Sequence, residues 1–172
     1  MRDMRQPTDF ADIYDRYFSR VYNYVRYRLR SPQAADDVTG RIFETALEKL
    51  GTYDPARAPV QVWLFAVARN TVADWFRGLG RREDVSLDDI AEPAEKEPRA
   101  DSALEKKQES AMLLEAVARL EPRARDIIAL KFSSGMTNRD IAQVTGLGES
   151  NVGVIIYRAV KQLQEALAEK KI

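Results

Sequence analysis

The stretch that decides the fold runs from Met136 to Val160 and reads MTNRDIAQVTGLGESNVGVIIYRAV. Thr137 is placed to cap a helix, and Asp140, three residues later, completes a capping box. Gly146 permits a tight turn with positive φ, and a second helix follows that buries its valine and isoleucine residues. Two helices joined in this way form a helix-turn-helix, whose second helix enters the major groove of DNA.

The second helix of this motif supplies the predicted contacts to duplex DNA. Residues near its N-terminus are placed to reach base edges, and basic residues further along are placed to reach phosphates. The predicted contacts are Glu149, Ser150, Asn151, Val154, Tyr157, Arg158 and Lys161. A plain helical hairpin with a glycine turn is the alternative interpretation. Gly153 departs from the pattern, because glycine inside a helix costs about 1 kcal/mol relative to alanine.

Outward from this motif the apolar residues recur at helical spacing, and no segment is a convincing strand. The chain is therefore predicted to be all-α. The predicted helices begin near Phe10, at Ser31-Pro32, near Val60, near Ala103 and at Glu121-Pro122, ahead of the two already described.

The distribution of charge divides the chain into three parts, although its formal net charge is zero. Residues 1–82 carry a net charge of +4, residues 83–108 carry −5 and residues 109–172 carry +1. The middle segment has two prolines, no aromatic residue and little apolar content, so it is predicted to be a flexible acidic linker. Two small helical domains are predicted on either side, at 8–82 and 109–170.

Composition excludes several classes of function. The chain has no cysteine and no histidine, which removes disulfides, thiolate metal sites and every catalytic arrangement built on those residues. The carboxylates are scattered without the spacing needed for metal binding or acid–base catalysis, so no enzyme activity, metal or cofactor is predicted. The longest apolar run, Val62–Ala68, is far shorter than the ~20 residues that span a bilayer. A cytoplasmic binding protein without membrane insertion is the expectation.

The first domain combines aromatic and cationic residues on its third predicted helix and just before it. Rings that stack on unpaired bases and cations that follow phosphates suit single-stranded nucleic acid. The residues concerned are Tyr53, Trp63, Phe65, Arg69, Asn70, Trp75, Phe76, Arg77, Arg81 and Arg82. Aromatic residues at helical spacing are as readily explained as core, and Phe65 and Phe76 are the two assigned closer to the core.

A row of acidic residues lies on the second predicted helix, at Asp37, Glu44 and Glu48. Glu44 and Glu48 are like charges four residues apart, which is mildly unfavourable in an isolated helix. A solvated helix face explains the row, and a basic surface on a protein partner is the alternative.

Three segments together carry a family resemblance. AADDVTGRIFETALEKL (34–50) and VQVWLFAVARNTVADWFRGLGRR (60–82) resemble region 2 of bacterial sigma factors of the extracytoplasmic-function group. LEPRARDIIALKFSSGMTNRDIAQVTGLGESNVGVIIYRAVKQL (120–163) resembles region 4 of the same group. The resemblance covers nearly the whole chain outside the acidic segment.

This resemblance implies a detachable promoter-specificity subunit of RNA polymerase. Region 2 would bind the clamp coiled coil of the largest polymerase subunit, and region 4 would bind the flap of the second-largest subunit. The acidic segment would thread the polymerase cleft as a mimic of RNA or serve as a simple tether. An anti-sigma factor is a further implied partner. Two other hypotheses stay open: a free-standing helix-turn-helix regulator and an inert interaction module.

The resemblance also assigns residues to the two functions of region 2, which are polymerase binding and recognition of the minus-ten element. Asp37, Gly40, Glu44 and Glu48 would contact the clamp, with Gly40 standing where the family has a customary glutamine. Region 2 would also recognise and melt the minus-ten promoter element, and region 4 would read the minus-thirty-five element as duplex. The residues predicted for the minus-ten element are Tyr53, Asp54, Arg57, Trp63, Arg69, Asn70, Arg77, Arg81 and Arg82.

Overall fold

The computed structural model describes residues 9–81 and 101–169, with side chains described over 9–79 and 103–169. These ranges are helical apart from short connections, which confirms the all-α prediction. None of the described helices is both long and apolar enough to cross a membrane. The α-helices are α1 (Phe10–Arg28), α2 (Pro32–Lys49), α3 (Val60–Arg81), α4 (Asp101–Ala118), α5 (Pro122–Ser134), α6 (Asn138–Thr145) and α7 (Glu149–Glu169), with a single 3₁₀ turn at Leu50–Thr52.

The first three helices form one unit, and local sequence signals fix where they begin. The backbone N–H of Ala11 donates to the Asp9 carboxylate at the start of α1. The Ser31 hydroxyl accepts from the N–H of Ala34 at 3.2 Å, and Pro32 is the first residue of α2, as predicted. The apolar stripes of the three helices meet in a core that includes Ile13, Val21, Val38, Ile42, Leu64 and Phe65.

Helices α4 to α7 form the second unit. Helix α5 ends at Gly135 and α6 ends at Gly146, both in the left-handed region with φ of +67° and +76°. Helix α4 begins at Asp101, so the last eight residues of the segment predicted as a linker belong to a helix. Residues 103–110 of that helix are exposed. Its later turns, which include Val117, pack against α7 and form the buried part of the helix.

The two units pack against each other, which the sequence did not predict. Helix α1 lies on α5, and α3 lies on α6. Val21 of α1 and Ile127 of α5 belong to one continuous buried cluster, as do Leu64 of α3 and Ile141 of α6. We call this arrangement the closed arrangement. Each unit therefore completes its core partly with residues of the other.

Candidate nucleic-acid interface

The helix-turn-helix predicted from Met136–Val160 is formed by α6 and α7. The Thr137 hydroxyl accepts from the N–H of Asp140 at 3.1 Å, and the Asp140 carboxylate accepts from the N–H of Thr137 at 3.4 Å. This confirms the predicted capping box, and the positive φ of Gly146 confirms the predicted turn. Val152 of α7 is fully buried. The face of α7 that carries Val152 therefore packs against the rest of the protein, and the opposite face is directed to solvent.

The predicted contacts on α7 are exposed, so the structure leaves them available to a ligand. Val154 is 45% exposed and Tyr157 is 65% exposed, so both present apolar surface to solvent on this face of α7. The ammonium group of Lys161 lies 5.8 Å from the centroid of the Tyr157 ring. The exposed set is Glu149, Ser150, Asn151, Val154, Tyr157, Arg158 and Lys161.

The connection between α2 and α3 is an ordered loop. The Tyr53 ring packs beside Trp63 with centroids 5.1 Å apart, and its hydroxyl donates to the carbonyl oxygen of Ala58 at 3.1 Å. The Asp54 carboxylate accepts from the N–H of Ala56 at 2.9 Å and lies 3.8 Å from the exposed guanidinium of Arg57. Tyr53 and Trp63 are half-buried, so each ring supports the loop and keeps an accessible part.

The other predicted residues of the first unit are on α3, where the structure separates them. Asn70 is exposed. Arg77 forms an ion pair with Asp74, while the side chains of Arg81 and Arg82 lie outside the described residues. Phe65 is buried, as predicted. The prediction for Phe76 was wrong: its side chain is 38% exposed, because the polar Arg28 guanidinium, 5.6 Å from its ring, covers it only in part.

The acidic row on α2 is fully accessible. Asp37, Glu44 and Glu48 are exposed along one side of the helix, and Gly40 lies between the first two. A Cβ atom at Gly40 would meet no atom within 4 Å outside the backbone of its own helix. Glu44 and Glu48 also line an open cavity of about 310 Å³ together with Asn70 of α3. Two of the predicted polymerase-binding residues, Glu44 and Glu48, therefore lie close to Asn70 of the predicted DNA-binding set.

A buried carboxylate that the sequence analysis missed links the two units. Asp126 of α5 is 5% exposed and accepts a 2.7 Å hydrogen bond from the Tyr24 hydroxyl. Its oxygens lie 2.6 Å from Nη1 of Arg28 and 2.6 Å from Nε of Arg69. Burial, followed by the negative charge of Asp126, raises the pKa of Tyr24 well above its usual value. Arg69, predicted to contact DNA, is thus held by the other unit.

Two further hydrogen bonds cross the junction near the predicted minus-ten loop. Nε2 of Gln143 in α6 donates to the carbonyl oxygen of Arg57 at 3.3 Å. Nε2 of Gln61 in α3 donates to the carbonyl oxygen of Ser134 at 2.8 Å. The second unit therefore rests on the loop and on the start of α3. In the sequence, the only signal that the two units are in contact was the charged residue Asp126 among the apolar residues of α5.

The described structure consists of two helical units. One carries an accessible helix-turn-helix, and the other carries an aromatic loop beside exposed polar residues. Within the described ranges no group of carboxylates is arranged to hold a metal ion. Residues 13–82 match Sigma-70 region 2, and residues 110–163 match Sigma-70 region 4.

Similar proteins agree with these matches. The chain is 32% identical over 160 residues to the ECF RNA polymerase sigma factor BldN of Streptomyces coelicolor, covering 93% of this chain and 61% of BldN. It is 27% identical to the ECF sigma factor RpoE of Cereibacter sphaeroides, covering 98% and 91% of the two chains. The fold resembles that of a sigma factor RpoE from Bartonella quintana, solved with the anti-sigma factor NepR, with a TM-score of 0.75, 20% identity and coverage of 94% and 98%.

The chain belongs to the extracytoplasmic-function group of RNA polymerase sigma factors. It is therefore a promoter-specificity subunit that works with polymerase, and the free-standing regulator considered above is excluded. It spans less than two thirds of the length of BldN and most of the length of RpoE.

Proposed function

We propose that the first unit binds core polymerase and holds melted minus-ten bases, while the second unit binds the polymerase flap and reads the minus-thirty-five element as duplex. The exposed N-terminal face of α7 is the observation that carries this proposal. Helix α7 is about 32 Å long at 1.5 Å per residue, so its first turns can enter a major groove while its later turns stay packed on α4 and α5.

The minus-ten element would be held by the loop that contains Tyr53, Asp54 and Arg57, together with Asn70 and the accessible edge of Trp63. The half-buried rings of Tyr53 and Trp63 offer stacking surfaces, and Asn70 offers an amide for a base edge. Melting would be favoured because unpaired bases bind here and duplex does not. Each extruded base costs a few kcal/mol of stacking and pairing, which these contacts offset.

The closed arrangement is incompatible with this use of the first unit. Gln143 rests on the Arg57 carbonyl, and Arg69 is held by Asp126. The two promoter elements are also about 25 base pairs apart, or roughly 85 Å along the helix axis. A compact chain of 172 residues is about 40 Å across. Promoter binding therefore requires the units to separate.

The acidic row on α2 would meet a basic surface of the polymerase clamp. Exposed glutamates gain little from single ion pairs, so a row of them contributes chiefly through orientation and rate of association. Gly40 lies within this row and supplies no side-chain contact. We infer that polymerase binding rests on Asp37, Glu44 and Glu48, without the contact that a longer side chain would add.

The proposed partners are core polymerase, promoter DNA in duplex and single-stranded form, and an anti-sigma factor. The Bartonella RpoE structure with NepR supports the last of these. The chain would act in the cytoplasm, where transcription takes place, and would carry out no covalent chemistry of its own. Its effect on rate would come entirely from binding strand-separated DNA and placing it in the polymerase.

The experiment is run-off transcription by purified core polymerase with this protein on a randomised promoter library. We expect enrichment of two separated sequence elements. Reversal of Glu44 and Glu48 to lysine is expected to abolish transcripts and weaken core binding at least tenfold. The matched control reverses Glu165 and Glu169, which have the same spacing on the exposed end of α7. Equal loss in both double variants, or none in either, would contradict the assignment of α2.

A further inference from the structure

A cavity of about 280 Å³ lies at the junction of the two units and is not used by the function proposed above. The end of α1 forms one wall, and α4 and α5 form the other. Arg26 and Arg28 of α1 and Arg30, just after that helix, line it together with Arg125 of α5. Among its lining residues Glu115 is the one carboxylate, and it is already 3.0 Å from the guanidinium of Arg119.

The positive charge of this cavity is only partly compensated. Arg28 lies beside Asp126, but Arg26 donates to the carbonyl oxygen of Arg30, and Arg125 donates to the carbonyl oxygens of Ala118 and Leu120. Carbonyl oxygens accept hydrogen bonds without carrying a full negative charge.

Two observations favour the binding of an anion in this cavity. The Nε atoms of Arg28 and Arg125 are buried and have no hydrogen-bond partner. Burial, followed by repulsion from Arg28 and Arg30, lowers the pKa of Arg125. A bound anion would supply acceptors for the guanidinium groups and reverse that repulsion.

We propose that this arginine-lined cavity binds a small organic phosphate, with the phosphate on the arginines and the organic body against the apolar wall. Guanidinium groups offer paired N–H donors that match phosphate oxygens. The apolar part of the wall includes Leu29 and Leu114, with the half-buried ring of Tyr27 beside them. The volume is near the lower end for small-molecule sites, which suits a mononucleotide better than a peptide.

Because both units contribute walls, the ligand would stabilise the closed arrangement by mass action. The site itself does not depend on the proposed roles of α2, α3 and α7, since binding can be measured on the free protein. Failure of the anion site and failure of the polymerase and promoter assignments are therefore distinguishable.

The test is isothermal titration and thermal unfolding of the full chain with inorganic phosphate, pyrophosphate and ATP, in metal-free buffer at constant ionic strength. We expect saturable binding of ATP with a raised melting temperature, and weaker binding of pyrophosphate and phosphate. Arg30→Glu is the test variant, because Arg30 is exposed and lines the cavity. Arg123→Glu is the matched control, since it makes the same charge change at an exposed position of α5 outside the cavity.

We expect at least a tenfold loss of ATP affinity in Arg30→Glu and less than a twofold change in Arg123→Glu. Circular dichroism verifies that each variant folds, and Arg30→Gln replaces Arg30→Glu if it does not. Absence of saturable binding, or equal loss in the two variants, would overturn the site. Equal affinity for pyrophosphate and ATP would overturn the assignment of an organic ligand.

Discussion

Nε of Arg69 in α3 lies 2.6 Å from Oδ2 of Asp126 in α5. This ion pair joins the first unit to the second and connects residues that are 57 positions apart in the sequence. The same carboxylate also pairs with Arg28 and accepts a hydrogen bond from the Tyr24 hydroxyl, so both of its oxygens have partners. One buried side chain therefore joins α1, α3 and α5. Any process that separates the units must first provide Asp126 and its two arginines with other partners or with water.

The first prediction concerns this carboxylate. Asp126→Asn keeps the shape of the side chain but leaves Arg28 and Arg69 close together without a counter-charge. Breaking a buried ion pair in this way costs about 3–5 kcal/mol. We expect about 3 kcal/mol here, because the Arg69 side chain is 39% exposed and water compensates it in part. Urea unfolding measures the loss, and small-angle scattering measures the expected increase in radius of gyration.

The control for this prediction is Asp74→Asn, which removes an exposed carboxylate paired with Arg77 on α3. An exposed pair of this kind is worth less than about 1 kcal/mol. Similar destabilisation by both substitutions, or an unchanged radius of gyration in Asp126→Asn, would show that Asp126 does not hold the units together.

The second prediction concerns alkaline pH. The pKa of Tyr24 is raised in the folded state, chiefly by burial and then by Asp126. The unfolded chain therefore releases this proton at a lower pH than the folded chain does, and the free energy of unfolding falls as pH rises above about 10. Urea unfolding between pH 8 and 11 is expected to show this decline.

Tyr24→Phe removes the titrating group, so its stability is expected to decline less steeply over the same range. The pKa of Tyr27 and that of Tyr53 are also raised, chiefly by burial, so some decline is expected to remain in this variant. Tyr157→Phe, at an exposed position, is the control. Parallel pH profiles for the wild type and Tyr24→Phe would contradict the prediction.

The third prediction concerns Gly40. Because a Cβ atom there would meet no atom within 4 Å outside its own helix, Gly40→Ala is expected to stabilise the protein by about 1 kcal/mol through helix propensity alone. Gly40→Gln is expected to gain less stability but to bind core polymerase more tightly, since it adds a side chain with hydrogen-bonding groups within the proposed polymerase-binding row. Chemical unfolding and a core-binding titration separate the two effects.

Gly78→Ala is the matched control, since Gly78 also lies in an α-helix with open space around it. It is expected to raise stability without changing polymerase affinity. If Gly40→Gln and Gly40→Ala bind polymerase equally well, position 40 is not part of the interface.

The fourth prediction separates base contacts from phosphate contacts on α7. Asn151→Ala is expected to cost about 1–3 kcal/mol on the preferred minus-thirty-five sequence and to relax preference at one position. Arg158→Ala is expected to weaken binding almost uniformly across sequences and to reduce the salt slope by about one unit. Holoenzyme binding to single-base promoter variants at several salt concentrations measures both. A uniform loss for Asn151→Ala together with a base-selective loss for Arg158→Ala would contradict this assignment of the two residues.

The helices and the turn between α6 and α7 could be predicted because they depend on local signals. Ser31-Pro32, the Thr137–Asp140 pair and Gly146 each act within a few residues, and all three were confirmed. The junction could not be predicted, because it depends on residues far apart in sequence. Asp126 becomes a link only once α1 and α3 approach α5. Phe76 was assigned to the core by spacing alone, although its ring is 38% exposed and lies against the Arg28 guanidinium instead of an apolar core.

The continuous core has a consequence for how tightly this protein can bind. Ile127 and Val21 belong to one buried cluster only while the units stay together, so separation would expose apolar surface, and we expect the separated form to be a minor population of the free chain. The apparent dissociation constant for polymerase equals the intrinsic value divided by the fraction of molecules that are open. If closure is favoured by about 3 kcal/mol, that fraction is roughly 1 in 150, so affinity could be raised about a hundredfold without altering one polymerase contact.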